Sequence, residues 1–282
     1  MPTPYERIAQ ARSQLVEAGI PAEDAALDAE VLARHALGWD RATLIAHGRE
    51  AAPPGFVERF DAFVARRVRR EPVAYITGHR EFWGLDVEIT TDVLVPRPET
   101  ELIVEEALAF AAANLCSTII DVGTGSGCIA IAVARELSDV AVLATDRSQA
   151  ALRVAKRNAV RLGVAGQITF RQADLFKGIH GQANLILSNP PYVPDTNADE
   201  MQPEVLRFEP QEALFGGRDG LDVVRRLLRE APPRLASGGR LVVEFGLGQE
   251  HEVRAAATAT GWTVITVRAD LQGIPRTIVL TR

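Results

Sequence analysis

Only two cysteines, Cys116 and Cys128, occur among the 282 residues, and the five histidines are scattered. That scarcity excludes a disulfide framework and the ligand spacing of a zinc site, and it suits a reducing compartment. Long apolar runs are missing too: none approaches the ~20 residues that a membrane-spanning helix needs. The opening residues, Met1-Pro2-Thr3-Pro4-Tyr5-Glu6-Arg7, hold no basic stretch followed by an apolar core, so no export signal is expected. An excess of positive charge is also absent. The net charge is −6 and the pI is near 5.5, which offers no general attraction to nucleic acid or to an anionic membrane. These absences predict a cytoplasmic, soluble protein with no metal, no membrane contact and no required nucleic acid.

What is present is enough to bury a sizeable core: 47% of the residues are hydrophobic and 24% charged, as in ordinary globular domains. The first seventy or so residues read as helices. Ile8, Leu15, Leu27, Val31, Leu32, Leu37, Leu44, Ile45, Phe56, Phe60, Phe63 and Val64 recur at three-to-four spacing. Gly19-Ile20-Pro21, Gly38-Trp39-Asp40 and Ala52-Pro53-Pro54-Gly55 punctuate them. A small bundle over residues 1–71 is therefore expected. The basic run Arg66–Arg70 closes it, read as cations at a helix C-terminus, with an RNA or protein contact as the alternative.

Residues 72–97, with Tyr75-Ile76-Thr77-Gly78, Glu81-Phe82-Trp83-Gly84-Leu85 and Val87–Thr90, alternate in short stretches broken by glycine and predict a β-hairpin linker. Pro96, Pro98, Glu99 and Glu101 then signal a helix start. Over residues 98–282 strand and helix alternate. Strands are expected at Thr118–Val122, Ala141–Thr145, Gln167–Phe170, Asn184–Ser188, Arg240–Phe245, Thr263–Val267 and Arg276–Leu280. Helices fall between them near Cys128–Leu137, Ser148–Leu162, Leu221–Leu235 and Gln249–Thr260. Apolar strands interleaved with helices predict an α/β fold: a seven-stranded, mostly parallel sheet covered on both faces, ending in an antiparallel pair.

Two strand ends carry chemistry. After the first strand comes Asp121-Val122-Gly123-Thr124-Gly125-Ser126-Gly127, running into a helix. Glycines let a ligand approach the backbone, and a helix N-terminus offers unpaired N–H groups. Asp146, at the end of the second strand, stands where an acid receives ribose hydroxyls. The dinucleotide spacing G-x-G-x-x-G fails, because Cys128 occupies its last position. Asp121 would repel a pyrophosphate and welcome a cationic amine. S-adenosylmethionine has that amine, a sulfonium and no phosphate. Asp174-Leu175-Phe176, after the third strand, can meet the adenine amino group and ring.

The second corner is Asn189-Pro190-Pro191-Tyr192, after the apolar run 184–188. Two prolines forbid helix and remove two backbone donors, so the chain must turn. An Asn oxygen and a proline carbonyl there can accept both N–H bonds of a planar amine or amide, with the Tyr ring on its face.

Together with Arg80–Gly84, Val95–Glu101 and Arg207-Phe208-Glu209-Pro210, these motifs resemble the peptide chain release factor glutamine N5-methyltransferases over nearly the whole chain. The resemblance implies a class I, Rossmann-like methyltransferase fold with a helical N-terminal domain that recognises the substrate. It also implies transfer of a methyl group from S-adenosylmethionine to the glutamine of a Gly-Gly-Gln tripeptide in bacterial release factors, by a monomer. Gly123, Thr124, Gly125, Ser126, Gly127 and Asp146 would hold the cofactor. Asp174 and Leu175 would border adenine, and Asn189, also near the cofactor, would hold the glutamine with Pro190, Pro191 and Tyr192. Phe82 or Trp83 would cover the site from the hairpin or form a buried domain-interface pair. The Arg207–Pro210 stretch would lie in a loop beside the site or form an internal ion pair. Three readings stay open: a ribosomal-protein glutamine methyltransferase, a nucleic-acid amino methyltransferase acting on adenine N6 or guanine N2, and a cofactor-binding module without catalysis.

Overall fold

The structure, a computed structural model, describes residues 2–282, with residues 199 and 200 described in backbone only. It divides into two compact units. The first runs to His79 and takes in Gln202–Phe208; the second comprises Arg80–Met201 and Glu209–Arg282.

In the first unit, α1 (Pro4–Glu17), α2 (Ala22–Leu37), α3 (Arg41–His47) and α4 (Phe56–Val68) form the expected bundle. Local chemistry sets their ends. At α1 the Thr3 hydroxyl accepts from the Glu6 amide while the Glu6 carboxylate accepts from the Thr3 amide, a reciprocal cap. Leu15, Leu32, Phe56 and Phe60 are fully buried, and the two Phe rings stack at 5.2 Å. Leu27 and Ile45 share the helical spacing but are exposed, because the outer faces of short helices meet no neighbour. Residues Val73–Thr77 form a helix, α5, rather than the expected hairpin arm: the Pro72 carbonyl accepts from both Tyr75 and Ile76, and Gly78 ends the turn at φ 78°.

The second unit opens with β1 (His79–Phe82, its first residue still in the first unit) and β2 (Leu85–Glu88), which pair as the hairpin proper. Then follow α6 (Glu101–Ala113), β3 (Thr118–Val122), α7 (Cys128–Glu136), β4 (Ala141–Asp146), α8 (Gln149–Arg161), β5 (Ile168–Gln172) and β6 (Ala183–Ser188). The chain returns to the first unit for α9 (Pro203–Phe208). It ends with α10 (Asp222–Glu230), β7 (Leu235–Glu244), α11 (Glu250–Ala259), β8 (Thr263–Ala269) and β9 (Pro275–Thr281).

Glu204 on α9 explains the basic run. Arg67 pairs with Asp28 at 2.7 Å and with Glu204 at 2.9 Å, while Arg70 reaches the other Glu204 oxygen at 2.7 Å. Arg66 binds Glu71. Arg66 and Arg67 stand in the last turn of α4, as expected of cations at a helix C-terminus, and with Arg70 they are also paired by internal carboxylates, so no external ligand is needed to account for these three.

The seven-stranded sheet has the order β5-β4-β3-β6-β7-β9-β8. The first five are parallel, and β9 lies antiparallel between β7 and β8. Strand succession reverses direction between β3 and β6, which opens a crevice at their carboxyl ends; this is where an open α/β sheet binds its ligand. The two chemically suggestive motifs leave β3 and β6, so sheet topology alone brings them together.

Candidate active site

A cleft with about 1120 Å³ of free space, its open mouth included, lies at that crevice. Its wall includes Gly123, Thr124, Gly125 and Ser126 from the first corner and Asn189, Pro190 and Pro191 from the second. Asp146, Asp174 and Leu175 also line it. β3 and β6 run in register from Ile119 opposite Leu185 to Asp121 opposite Leu187, and the Ser188 hydroxyl donates to the Val122 carbonyl at 2.8 Å. The two turns therefore begin side by side.

The glycine turn is held tightly from within. The Gly123 and Thr124 amides both donate to the Thr145 carbonyl, Gly125 donates to Asp146 Oδ2 at 2.9 Å, and Gly127 donates to the Thr124 carbonyl. The expectation of unpaired N–H groups thus fails at these four residues. A turn whose amides are spent on the protein cannot cradle a phosphate, which strengthens the exclusion of a dinucleotide. What it offers is bare backbone: Gly123 and Gly125 have positive φ, and a Cβ on either would project into open space. Gly127 serves differently. It lines no part of the cleft; it caps α7 at φ 85°, and a Cβ there would press on Ala155 and Ile131 at 3.0 Å.

Asp121 also departs from expectation. It is fully buried beneath the turn, where its Oδ2 accepts from the Thr124 hydroxyl at 2.6 Å. Burial, with Asp146 adding repulsion, pushes its carboxyl up to about 7. It shapes the turn and does not present a charge to the cleft. Asp146 does face the cleft, its two oxygens oriented by the Gly125 and Ser148 amides, and burial raises its carboxyl too. Asp174 is engaged by Arg226 through two bonds of 3.1 Å, leaving only its remaining lone pairs for a ligand. Leu175 stands beside it at φ 51°. The Cys128 thiol, on the same wall, is pushed up to about 12 by burial and stays protonated.

At the second corner Asn189 Nδ2 donates to Thr100 Oγ1 at 3.0 Å, while its Oδ1 has no hydrogen bond among the described residues. Tyr192 does not line the cleft. Its hydroxyl donates to Glu244 at 3.1 Å, and its carbonyl accepts from Gln249 Nε2 at 2.8 Å. Neither Phe82 nor Trp83 lines the cleft: Phe82 is buried, and the Trp83 indole donates to Glu136 at 2.9 Å.

Residues 203–208 are helical, so Arg207 and Phe208 end α9 and are not loop residues. Glu209, itself buried, does form an ion pair, but with the half-buried Arg97, at 2.6 Å, and it also accepts from the Val95 amide. It joins the two stretches that carry Pro96 and Pro210 to the cleft wall. Sequence reasoning missed Asn158. Fully buried on α8, it donates to the Ser126 carbonyl at 2.9 Å and exchanges two bonds with the Glu88 backbone, anchoring the glycine turn to β2. An asparagine within an otherwise apolar helix stripe was the available signal.

The sheet order, the glycine turn and the acid after the second strand define a class I methyltransferase, which takes its methyl group from S-adenosylmethionine. Residues 6–78 match the family described as PrmC N-terminal domain, and residues 100–208 match the Methyltransferase small domain. A release factor glutamine methyltransferase of Cereibacter sphaeroides is 42% identical over 265 residues, covering 94% of this chain and 93% of that one. Another, from Xylella fastidiosa strain Temecula1, is 40% identical over 280 residues, covering 99% and 98%. The chain belongs to the release factor glutamine methyltransferase family. Solved structures share its fold: a methyltransferase from Pyrococcus furiosus has a TM-score of 0.53 at 19% identity over 77% of this chain and 95% of that one. The hMettl16 catalytic domain has a TM-score of 0.58 at 17% identity, covering 78% and 81%.

Proposed function

We propose that this protein methylates the side-chain nitrogen (N5) of the glutamine in the Gly-Gly-Gln tripeptide of peptide chain release factors, acting as a cytoplasmic monomer. One observation carries the reading: the glycine turn and the double-proline turn line one cleft, and Asn189 enters it with its nitrogen tied to Thr100 and its oxygen unpartnered.

The cleft residues fit the cofactor. Bare backbone at Gly123 and Gly125 admits close approach, Asp146 would accept ribose hydroxyls, and Asp174 with Leu175 would border adenine. Thr124, Ser126 and Gly127 complete the turn. When bound, S-adenosylmethionine supplies an electrophilic methyl on a sulfonium.

The remaining work falls to the chain. An amide nitrogen is a poor nucleophile because its lone pair is conjugated with the carbonyl. Asn189 Oδ1 and the Pro190 carbonyl would accept its two N–H bonds. Both contacts strengthen as positive charge develops on nitrogen, and such differential stabilisation lowers the barrier. Fixing the amide at Pro190 and Pro191 contributes several kcal/mol more, in order of magnitude, through orientation. Tyr192 secures the turn through Glu244 and Gln249. The methylated nitrogen, acidic while cationic, gives its proton to water.

The acidic balance supports a protein substrate over nucleic acid. The test is incubation with labelled S-adenosylmethionine, purified release factor, ribosomal proteins and total RNA, followed by mass spectrometry. Label on the release-factor glutamine is expected; label on RNA or on a ribosomal protein, and none on that glutamine, would overturn the reading.

A further inference from the structure

Glu244 ends β7 and is 1% exposed, an expensive place for a carboxyl unless it serves a purpose. Its Oε1 accepts from the Tyr192 hydroxyl at 3.1 Å, and its Oε2 makes no hydrogen bond of normal geometry among the described residues. Thr100 lies beside the same carboxyl and is buried as well. Its oxygen accepts from Asn189 Nδ2 at 3.0 Å, so its own proton is free to turn toward Glu244.

We propose that Glu244 is a positioning residue for methyl transfer, holding Tyr192 directly and Asn189 through Thr100; this rests on the reading of Asn189–Tyr192 as the amide-binding turn. The argument is one of hydrogen-bond direction. An ionised carboxylate can only accept. Facing it, the Tyr192 and Thr100 hydroxyls both donate. Thr100, its proton committed, can then only accept from Asn189, which turns the Asn189 nitrogen inward and its oxygen toward the cleft. A protonated Glu244 becomes a donor. Thr100 can then donate to Asn189 instead, the amide can turn over, and its NH2 would meet the NH2 of the substrate.

Burial pushes Glu244 up to about 7, against the effect of the Thr100 and Tyr192 hydroxyls. The charged and titratable groups that face this pair are Glu99, which adds to the rise, and Arg276 on β9, which opposes it. Arg97 acts on Tyr192, and the Cys128 thiol on α7 feels the Glu244 charge but stays protonated. The ionised form is the ordered one, so turnover falls as pH drops below that value.

The test measures single-turnover methyl transfer to purified release factor from below pH ~6 to above pH ~8, spanning the acid limb. The parent comes first: no transfer to glutamine at any pH would overturn the functional reading itself. With parent activity in hand, Glu244→Gln is expected to lower the rate about tenfold or more and to abolish the acid limb. Binding of S-adenosylhomocysteine should stay within about twofold, since Glu244 does not line the cleft. A variant with the parent's rate, or one that keeps the limb, overturns the proposal. Should Glu244→Gln fail to fold, Thr100→Val decides: it breaks only the arm to Asn189 and should slow transfer and flatten the limb, whereas a parental profile overturns the proposal.

Discussion

Ser188 and Val122 are the last residues of β6 and β3, and the hydroxyl of one donates to the carbonyl of the other at 2.8 Å. The residue before Asn189 is thus fastened to the residue before Gly123. Neither turn can drift from the other without breaking a buried bond, which gives a two-substrate reaction a fixed separation between its partners.

Asn189→Ala removes the proposed acceptor of a substrate N–H. Turnover should fall by about ten- to a thousandfold, while cofactor affinity changes little, because one contact specific to the transition state is lost. Rate measurements at saturating substrate, beside calorimetric binding of S-adenosylhomocysteine, check both halves; equal turnover would refute the role of Asn189.

Asp146→Asn keeps the shape of the side chain and removes its charge. Hydrogen bonds to charged groups contribute about 1.5–3 kcal/mol, so the dissociation constant for S-adenosylhomocysteine should rise roughly ten- to hundredfold. The variant should still melt near the parent temperature, since an amide oxygen can continue to accept from Gly125 or Ser148. Unchanged affinity would remove Asp146 from the binding site.

Gly220 packs against the second turn. Its φ is 78°, and a Cβ there would lie 2.1 Å from the Tyr192 carbonyl oxygen and 2.7 Å from Gln249 Nε2. Gly220→Ala must therefore shift the backbone it touches. A stability loss of about 1–3 kcal/mol is expected from strain of this kind. Turnover should fall with the cofactor still bound, and chemical denaturation with a parallel activity assay would show a parental variant if Tyr192 tolerates the displacement.

Glu204 offers a pH test in the first unit. Burial raises its carboxyl, but Arg70 and Arg67 outweigh that effect and hold it below its ordinary 4.5. A depressed carboxyl adds stability that is fully present above the ordinary value and is lost as pH falls through the lowered one. Asp28 is raised by burial and so has the opposite sign. Glu204→Gln should cost about 3 kcal/mol near neutrality, the lower end for a broken buried pair because Arg67 retains Asp28, and should make the acid limb of the melting profile shallower. Parallel profiles for parent and variant would show that the pair adds nothing.

The alternation of apolar strands with helices was legible because buried parallel strands leave continuous apolar runs; Thr118–Val122 was bounded correctly from composition alone. Both corner motifs were legible as well, since glycine frees the backbone and proline restricts it in any context. Partners distant along the chain were not. Nothing near Tyr192 announces Glu244, and nothing near Arg67 announces Glu204, because ion pairs and buried networks are chosen by topology and not by neighbours in sequence. Asp121 was misread for that reason: its sequence position suggested a charge facing a ligand, and the fold turned it beneath the loop. The Pro72–Gly78 stretch departs from the hairpin expectation because Gly78, read as a break between short strands, ends a short helix whose Tyr75 and Ile76 amides donate to the Pro72 carbonyl.

The excursion of α9 into the first compact unit bears on how this polypeptide can be cut. Severing it after His79 would split this unit: the fragment would keep Arg67 and Arg70 but forfeit the carboxylate they share, more than a hundred residues downstream, leaving Asp28 to Arg67 alone. During synthesis the same guanidinium groups emerge long before Glu204 does, so the amino-terminal bundle completes its electrostatics only after most of the methyltransferase sheet has been made.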